Sequence, residues 1–94
     1  MRVVTRKRIS QFIKHHPDLK SSLESWYAVV RTANWNSLAE VKQVYSTADL
    51  VERRTVFNIT GNQYRLIARL NYRAKVAFVL SILTHAGYDK GDWK

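Results

Sequence analysis

The chain of 94 residues contains no cysteine, which excludes a disulfide framework and a thiolate metal site. Its three histidines, two of them adjacent, lack the spacing of metal ligands. No apolar run approaches the roughly 18 residues that suggest a transmembrane helix. The first residues form an alternating apolar segment rather than a signal peptide. We therefore expect a cytoplasmic protein that needs no metal or cofactor and does not bind membranes.

Acidic residues are also scarce. Seven Asp and Glu stand against 16 Lys and Arg, so the net charge is +9 and the pI is near 10.3. Such an excess favours a polyanionic partner, with nucleic acid first, an acidic protein second and a membrane surface a weak third. The length predicts a single domain over residues 1–94.

Hydrophobic periodicity divides the first half of the chain into one short strand and a series of helices. Apolar residues at helical spacing indicate two amphipathic helices, and Ser37 and Glu40 suggest a capping box that begins a short third helix. A loop is expected before the second half of the chain. In order, the predicted segments are strand 2–4, helices 6–16, 17–32 and 37–45, and loop 46–50.

The second half, from Val56 to Lys90, has the pattern of a three-stranded antiparallel meander. Its middle strand alternates, so that one face is apolar and the opposite face carries Arg65, Arg69 and Arg73. The predicted fold class is α+β: a small antiparallel or mixed sheet, made of the N-terminal strand and the meander, with two to three helices packed on one face.

A cluster of chemically active residue types follows the last predicted strand. His85, Tyr88, Asp89 and Lys90 place an imidazole, a phenol, a carboxylate and an ammonium within six residues. Groups able to transfer protons therefore lie next in sequence to groups able to bind phosphate.

The meander carries a resemblance to a known family. The pattern F-N-I-x-G-N-x-Y-R-L-I-A, from Phe57 to Ala68, is followed by T-H-x-x-Y-D-K from Thr84 to Lys90. In this order and spacing it resembles the HigB-type mRNA interferase toxins of the RelE/ParE superfamily. The match is densest in the last 40 residues or so, and the helical half agrees in order and length.

The resemblance implies a fold, an activity and partners. The fold would be RelE-like, and the chain would be the toxin of a type II toxin–antitoxin module, cutting mRNA on the translating ribosome without a metal. A HigA-type antitoxin, a helix-turn-helix DNA-binding protein, would neutralise it. The isolated toxin would be a monomer and the complex a heterotetramer.

Metal-free RNA cleavage requires a group that accepts the 2′-hydroxyl proton, cations on the phosphate, and a donor near the leaving 5′-oxygen. Arg65 suits the phosphate because of its fork geometry, His85 suits proton transfer, and Tyr88 and Lys90 complete the candidate catalytic set. Each has a structural alternative, such as a solvent-facing arginine, a histidine that caps a strand or a core tyrosine. The residues assigned to RNA binding are Arg69, Arg73, Lys75, Arg6, Lys7 and Arg8.

Two other functions fit the same composition. A toxin of this fold could inhibit a protein such as gyrase without cutting RNA, and a basic RNA-binding module would need no catalytic group. The cluster around His85 favours the nuclease, whereas net charge does not separate nuclease from binding module, because phosphate neutralisation drives both.

Overall fold

A computed structural model describes residues 1–61, 63–91 and 93. The prediction of strand, helices and then meander is confirmed in its order. The elements in chain order are β1 (Arg2–Val4), α1 (Arg6–His15), a 3-10 turn (Pro17–Leu19), α2 (Lys20–Thr32), α3 (Leu38–Val44), β2 (Asp49–Val51), β3 (Arg54–Ile59), β4 (Tyr64–Asn71), β5 (Val76–Thr84) and α4 (His85–Asp89).

The strands form one five-stranded sheet in the order β1-β5-β4-β3-β2. β1 runs parallel to β5, and the other neighbours are antiparallel. The predicted α+β class is thus confirmed, and of the two sheet types left open the sheet is the mixed one. β5 is irregular at one point: Ile67 pairs with Ser81 and Ala68 with Val79, so Leu80 between them is a bulge.

Helices α1, α2 and α3 cover one face of the sheet. Leu66 and Ala68 of β4 point into this layer and are fully buried, as the alternation predicted. Trp26 of α2 meets Phe57 of β3 edge to face, with ring centroids 5.4 Å apart. A contiguous apolar core between sheet and helices is the main source of stability for a chain of this size.

One predicted segment was wrong. Residues 46–50 were expected to be a loop, but Asp49–Val51 form β2, which pairs with β3. Glu52 and Arg53 make the connecting turn with φ angles of 49° and 68°. Two-residue turns with positive φ at both positions normally carry Asn and Gly. Because neither residue type is present at these two positions, the sequence did not indicate a hairpin here.

The segment after β5, to which the sequence analysis assigned no secondary structure, forms the short helix α4. The predicted capping box at α3 was wrong in its detail, although α3 does begin after Ser37. Ser37 makes no side-chain cap, and the Glu40 carboxylate instead accepts hydrogen bonds from the backbone and side-chain amides of Asn36, at 3.2 and 3.3 Å.

Candidate active site

Arg65 lies on the sheet face opposite α1 and α2, near the start of β4. It pairs with Asn58 on β3 and with Leu83 on β5, and its side chain is only 9% exposed. Because a guanidinium does not lose its charge in proteins, burial requires compensating contacts. The face of Tyr88 supplies one, with the guanidinium carbon 5.3 Å from the ring centroid. Arg65 is therefore held in a fixed orientation by α4.

Tyr88 is held by a second aromatic contact. Its ring stacks on Trp93, with centroids 4.9 Å apart and planes at 18°. The Trp93 indole N–H also donates a hydrogen bond to the Tyr88 carbonyl oxygen at 2.9 Å. Trp93 is therefore docked against α4. The phenol is thus packed by residues from before and after α4.

His85 and Asp89 lie one helical turn apart on α4. The imidazole Nε2 is 3.2 Å from the Asp89 carboxylate, and both side chains are more than half exposed. In this geometry the Asp89 carboxylate can orient the His85 ring. A carboxylate on one ring nitrogen fixes the tautomer, leaving Nδ1 to face solvent or a substrate.

The N-terminal cap of α4 positions these groups. The Thr84 hydroxyl accepts a hydrogen bond from the Gly87 backbone N–H at 3.1 Å. A Cβ at Gly87 would lie 3.3 Å from the same hydroxyl oxygen, so glycine allows the close approach. Lys90 follows α4 directly and is exposed. The four predicted catalytic residues therefore come from β4 and from α4 with its next residue, and they lie at one end of the sheet.

A second group of cations lies further along β4. Arg69 lines a hollow of about 220 Å³ together with Arg53 and Arg54 of the β2–β3 hairpin. It also lines a hollow of about 550 Å³ with Arg73 and Phe78. Arg53 and Arg54 were missed from the sequence. The run of charges at 52–54 just before a strand was the signal that could have indicated them.

The remaining predicted RNA-binding residues do not join this group. The Lys75 ammonium donates hydrogen bonds to the Trp35 carbonyl at 2.7 Å and to the Asn36 side chain at 2.6 Å, so it ties a loop to the sheet. Arg6 lies over the ring of Tyr27, 4.8 Å from its centroid.

Arg8 points elsewhere and lines a groove beside β5, while Lys7 between it and Arg6 is exposed. Three consecutive residues of a helix point in three directions, because each is rotated about 100° from the last. Arg6, Lys7 and Arg8 therefore do not form one surface.

Within residues 1–61, 63–91 and 93, no group of three or more His, Asp or Glu side chains is arranged to bind a metal ion. In the same part of the chain, none of the helices has the length and apolar character needed to cross a membrane.

Chemically, the site combines a buried guanidinium, an exposed imidazole paired with a carboxylate, and a fixed phenol. The guanidinium can bind an anion such as phosphate, and the imidazole can exchange a proton with a bound substrate. The neighbouring arginines extend a positive surface along the sheet. Together these groups could bind a phosphodiester substrate and exchange a proton with it.

Sequence comparison agrees with this reading. Residues 19–91 match HigB_toxin, described as the RelE-like toxic component of a toxin-antitoxin system. The fold and the match define the chain as the toxin of a toxin–antitoxin pair. It belongs to the HigB toxin family.

Curated relatives extend over nearly the whole chain. The chain is 27% identical over 93 residues to the mRNA interferase HigB of Escherichia coli O6:H1 (strain CFT073), covering 96% of this chain and 90% of that protein. It is 22% identical over 92 residues to the mRNA interferase toxin HigB of Escherichia coli K12, covering 95% and 88%. The mRNA interferase HigB of Shigella flexneri matches to the same degree.

Proposed function

We propose that this toxin is an endoribonuclease that cuts mRNA, and that its catalytic site is formed by β4 and α4. The observation that carries the proposal is the convergence of two pairs at one end of the sheet. Arg65 packs on Tyr88, and His85 pairs with Asp89. A fixed phosphate-binding cation and an oriented proton-transfer group are what metal-free cleavage of RNA requires.

In the proposed reaction the substrate's own 2′-oxygen attacks the adjacent phosphorus. His85 accepts the proton of the 2′-hydroxyl as its oxygen attacks, and Arg65 binds the non-bridging oxygens as negative charge accumulates on them. The P–O5′ bond breaks, and the 5′-oxygen takes a proton from Tyr88 or Lys90. The proton held by His85 then returns to that donor through solvent. The products are a 2′,3′-cyclic phosphate and a 5′-hydroxyl, so neither a metal nor an external nucleophile takes part.

The arginines further along the sheet bind the RNA backbone in this proposal. Arg69, Arg53 and Arg54 share one hollow, and Arg73 lies in the next. With a net charge of +9, the chain is expected to bind RNA with a steep dependence on salt, because each phosphate contact releases counterions.

The cellular setting is also part of the proposal. The substrate is mRNA on the translating ribosome, which places the toxin in the cytoplasm. A HigA-type antitoxin with a helix-turn-helix DNA-binding fold neutralises it, and the complex is a heterotetramer of two toxins and two antitoxins. The basic surface and the family membership support these assignments.

Substitution of the His85–Asp89 pair tests the catalytic assignment. His85→Gln should lower the cleavage rate about 10²–10⁴-fold, the usual contribution of acid–base catalysis. Asp89→Asn should give a smaller loss, since it removes only the group that orients the ring, whereas Asp18→Asn, a matched change at an exposed site in the 3-10 turn, should leave the rate unchanged.

The rate is measured with ribosomes stalled on a defined mRNA, and thermal unfolding shows that each variant remains folded. Cleavage by His85→Gln at the parent rate would show that the catalytic assignment is wrong.

A further inference from the structure

The outer edge of β5 is only partly covered. β1 pairs with Val76, Ala77 and Phe78 of β5 and then turns into α1. The Thr5 hydroxyl donates a hydrogen bond to the Val79 carbonyl at 2.6 Å, so the backbone of the residue after Phe78 is also paired on this edge. From Leu80 to Thr84, within the described part of the chain, β5 has a strand neighbour on one side alone, which is β4.

The register indicates which backbone groups lie on this edge. His85 donates its backbone N–H to the Gln63 carbonyl at 3.0 Å, and Leu83 and Ser81 occupy alternate pairs with β4. In an antiparallel ladder such alternate residues face the neighbour, and the residue between them faces away. The N–H and C=O of Ile82 therefore point outward. Outward-facing groups on an edge strand are a template for another strand.

Helix α1 runs beside this edge, and the two enclose a groove of about 630 Å³. Apolar side chains are contributed by Phe12 of the helix and by Leu80 and Ile82 of the strand. The helix side also contributes Arg8 and Lys14, with His15 next to them, and none of the lining residues is acidic. The groove thus combines an open strand edge, an apolar lining and a positive rim.

We infer that this groove binds an extended, acidic segment of the antitoxin, which adds to β5 as a further strand. The inference depends on the family assignment only in that the partner is an antitoxin. An edge strand offers alternating donors and acceptors that match a peptide backbone, and strand addition is a common mode of peptide recognition. The rim favours carboxylates, and the apolar lining favours alternating aliphatic side chains.

The groove also fits an extended peptide better than RNA. RNA phosphates would be attracted by Arg8 and Lys14 and could accept a hydrogen bond from the N–H of Ile82, but they have no donor for its carbonyl oxygen. A peptide strand can form hydrogen bonds with both backbone groups of Ile82 and can also place carboxylates beside Arg8 and Lys14. At about 3.3 Å per residue, the open stretch from Leu80 to Thr84 accommodates a strand of about five residues.

The location links this groove to the candidate active site. β5 ends at Thr84, and His85 is the first residue of α4. A strand bound along β5 therefore reaches the beginning of the helix that carries the imidazole. Occupation of the edge gives the antitoxin a way to inhibit the toxin next to its catalytic groups.

Charge reversal provides the first test. The double variant Arg8→Glu/Lys14→Glu is compared with Arg31→Glu/Lys42→Glu, which makes the same change in net charge at exposed sites on α2 and α3. Affinity for the purified antitoxin is measured by calorimetry. The groove variant should bind about 10- to 100-fold more weakly than the parent, and the control should bind within a few-fold of it, since rim charges that face their partner affect binding more than distant ones do.

Amide hydrogen exchange provides a second test that needs no substitution. The Ile82 amide should exchange much more slowly in the toxin–antitoxin complex than in the toxin alone, because a paired edge amide is protected. Either an unchanged exchange rate at Ile82 or parent-like antitoxin affinity of the groove variant would overturn the inference. If the groove variant binds antitoxin normally but loses mRNA cleavage, the groove binds RNA and the inference is wrong. Failure of the unaltered toxin to cut mRNA would refute the proposed function and leave the binding result unaffected.

Discussion

Replacement of Arg65 by alanine separates catalysis from folding. The side chain is 9% exposed, and its guanidinium lies 5.3 Å from the centre of the Tyr88 ring. The variant removes the cation that we assign to the phosphate and one of the contacts that hold Tyr88. Its effects on stability and on activity can be compared from known magnitudes.

The effect on stability should be small. The cation–π contact alone contributes about 0.5–2 kcal/mol, depending on how far it is desolvated, and the lost packing of this buried residue adds to the cost. Folded domains have an unfolding free energy of about 5–15 kcal/mol. Even at the lower limit, a loss of about 2 kcal/mol leaves more than about 99% of the molecules folded, because about 1.4 kcal/mol is a factor of ten in the equilibrium. Unfolding therefore does not account for a large loss of activity.

The effect on cleavage should be large. Removal of one preorganised group that stabilises transition-state charge lowers kcat about 10²–10³-fold in known enzymes. Arg65→Ala should fall in this range, and Arg65→Lys should recover only part of the loss, because an ammonium lacks the planar fork. The assay is cleavage of a defined mRNA on stalled ribosomes under single-turnover conditions, with Arg31→Ala on α2 as the matched control. Cleavage by Arg65→Ala within a few-fold of the parent rate would refute the assignment of Arg65 to the phosphate.

Two other predictions concern the hairpin and two partly buried phenols. Replacement of Glu52 and Arg53 by Asn and Gly should raise the unfolding free energy by about 1 kcal/mol, because both positions have positive φ. The same variant should bind RNA more weakly, because it lacks the Arg53 guanidinium. An unchanged midpoint of urea unfolding would show that the turn is not strained. Burial raises the pKa of Tyr45 and of Tyr72, so both favour the folded state below the unfolded pKa, and this contribution is lost as pH rises through the folded values. Urea unfolding from about pH 9 to pH 11 should show a decline that is smaller in Tyr45→Phe, and equal declines in variant and parent would contradict the role of burial.

The meander could be predicted because its pattern depends on local alternation. Leu66 and Ala68 face the core while Arg65 and Arg69 face away from it, as period-two spacing requires. The first strand was also predictable in position. Its parallel pairing with β5 was not, since that contact joins the two ends of the chain.

Two elements escaped sequence analysis for different physical reasons. The β2–β3 hairpin turns on Glu52 and Arg53, residue types that rarely adopt positive φ. Helix α4 has five residues, too few to show a period of 3.6, and its start is set by the Thr84 cap rather than by apolar spacing.

The candidate site also has a part that could be predicted from the sequence and a part that could not. His85, Tyr88 and Lys90 could be predicted as a cluster because they are neighbours in sequence. The contribution of Arg53 and Arg54 to the hollow beside Arg69 arises from a hairpin that folds back along the sheet, so it is not visible in local sequence.

Lys75 was assigned to RNA because of its charge and position. Its ammonium also forms hydrogen bonds with Trp35 and Asn36, contacts set by tertiary structure, and its assignment to RNA stays a prediction. Charge alone does not distinguish a ligand-binding cation from one that holds a loop in place.

The most direct test of the proposed function is expression of the chain alone in a bacterial host, followed within minutes by mapping of mRNA 5′ ends. The proposed nuclease activity predicts new 5′-hydroxyl ends inside coding regions, in phase with codons, which do not form with Arg65→Ala. Growth arrest with intact mRNA would contradict it and would indicate a toxin that inhibits a protein target.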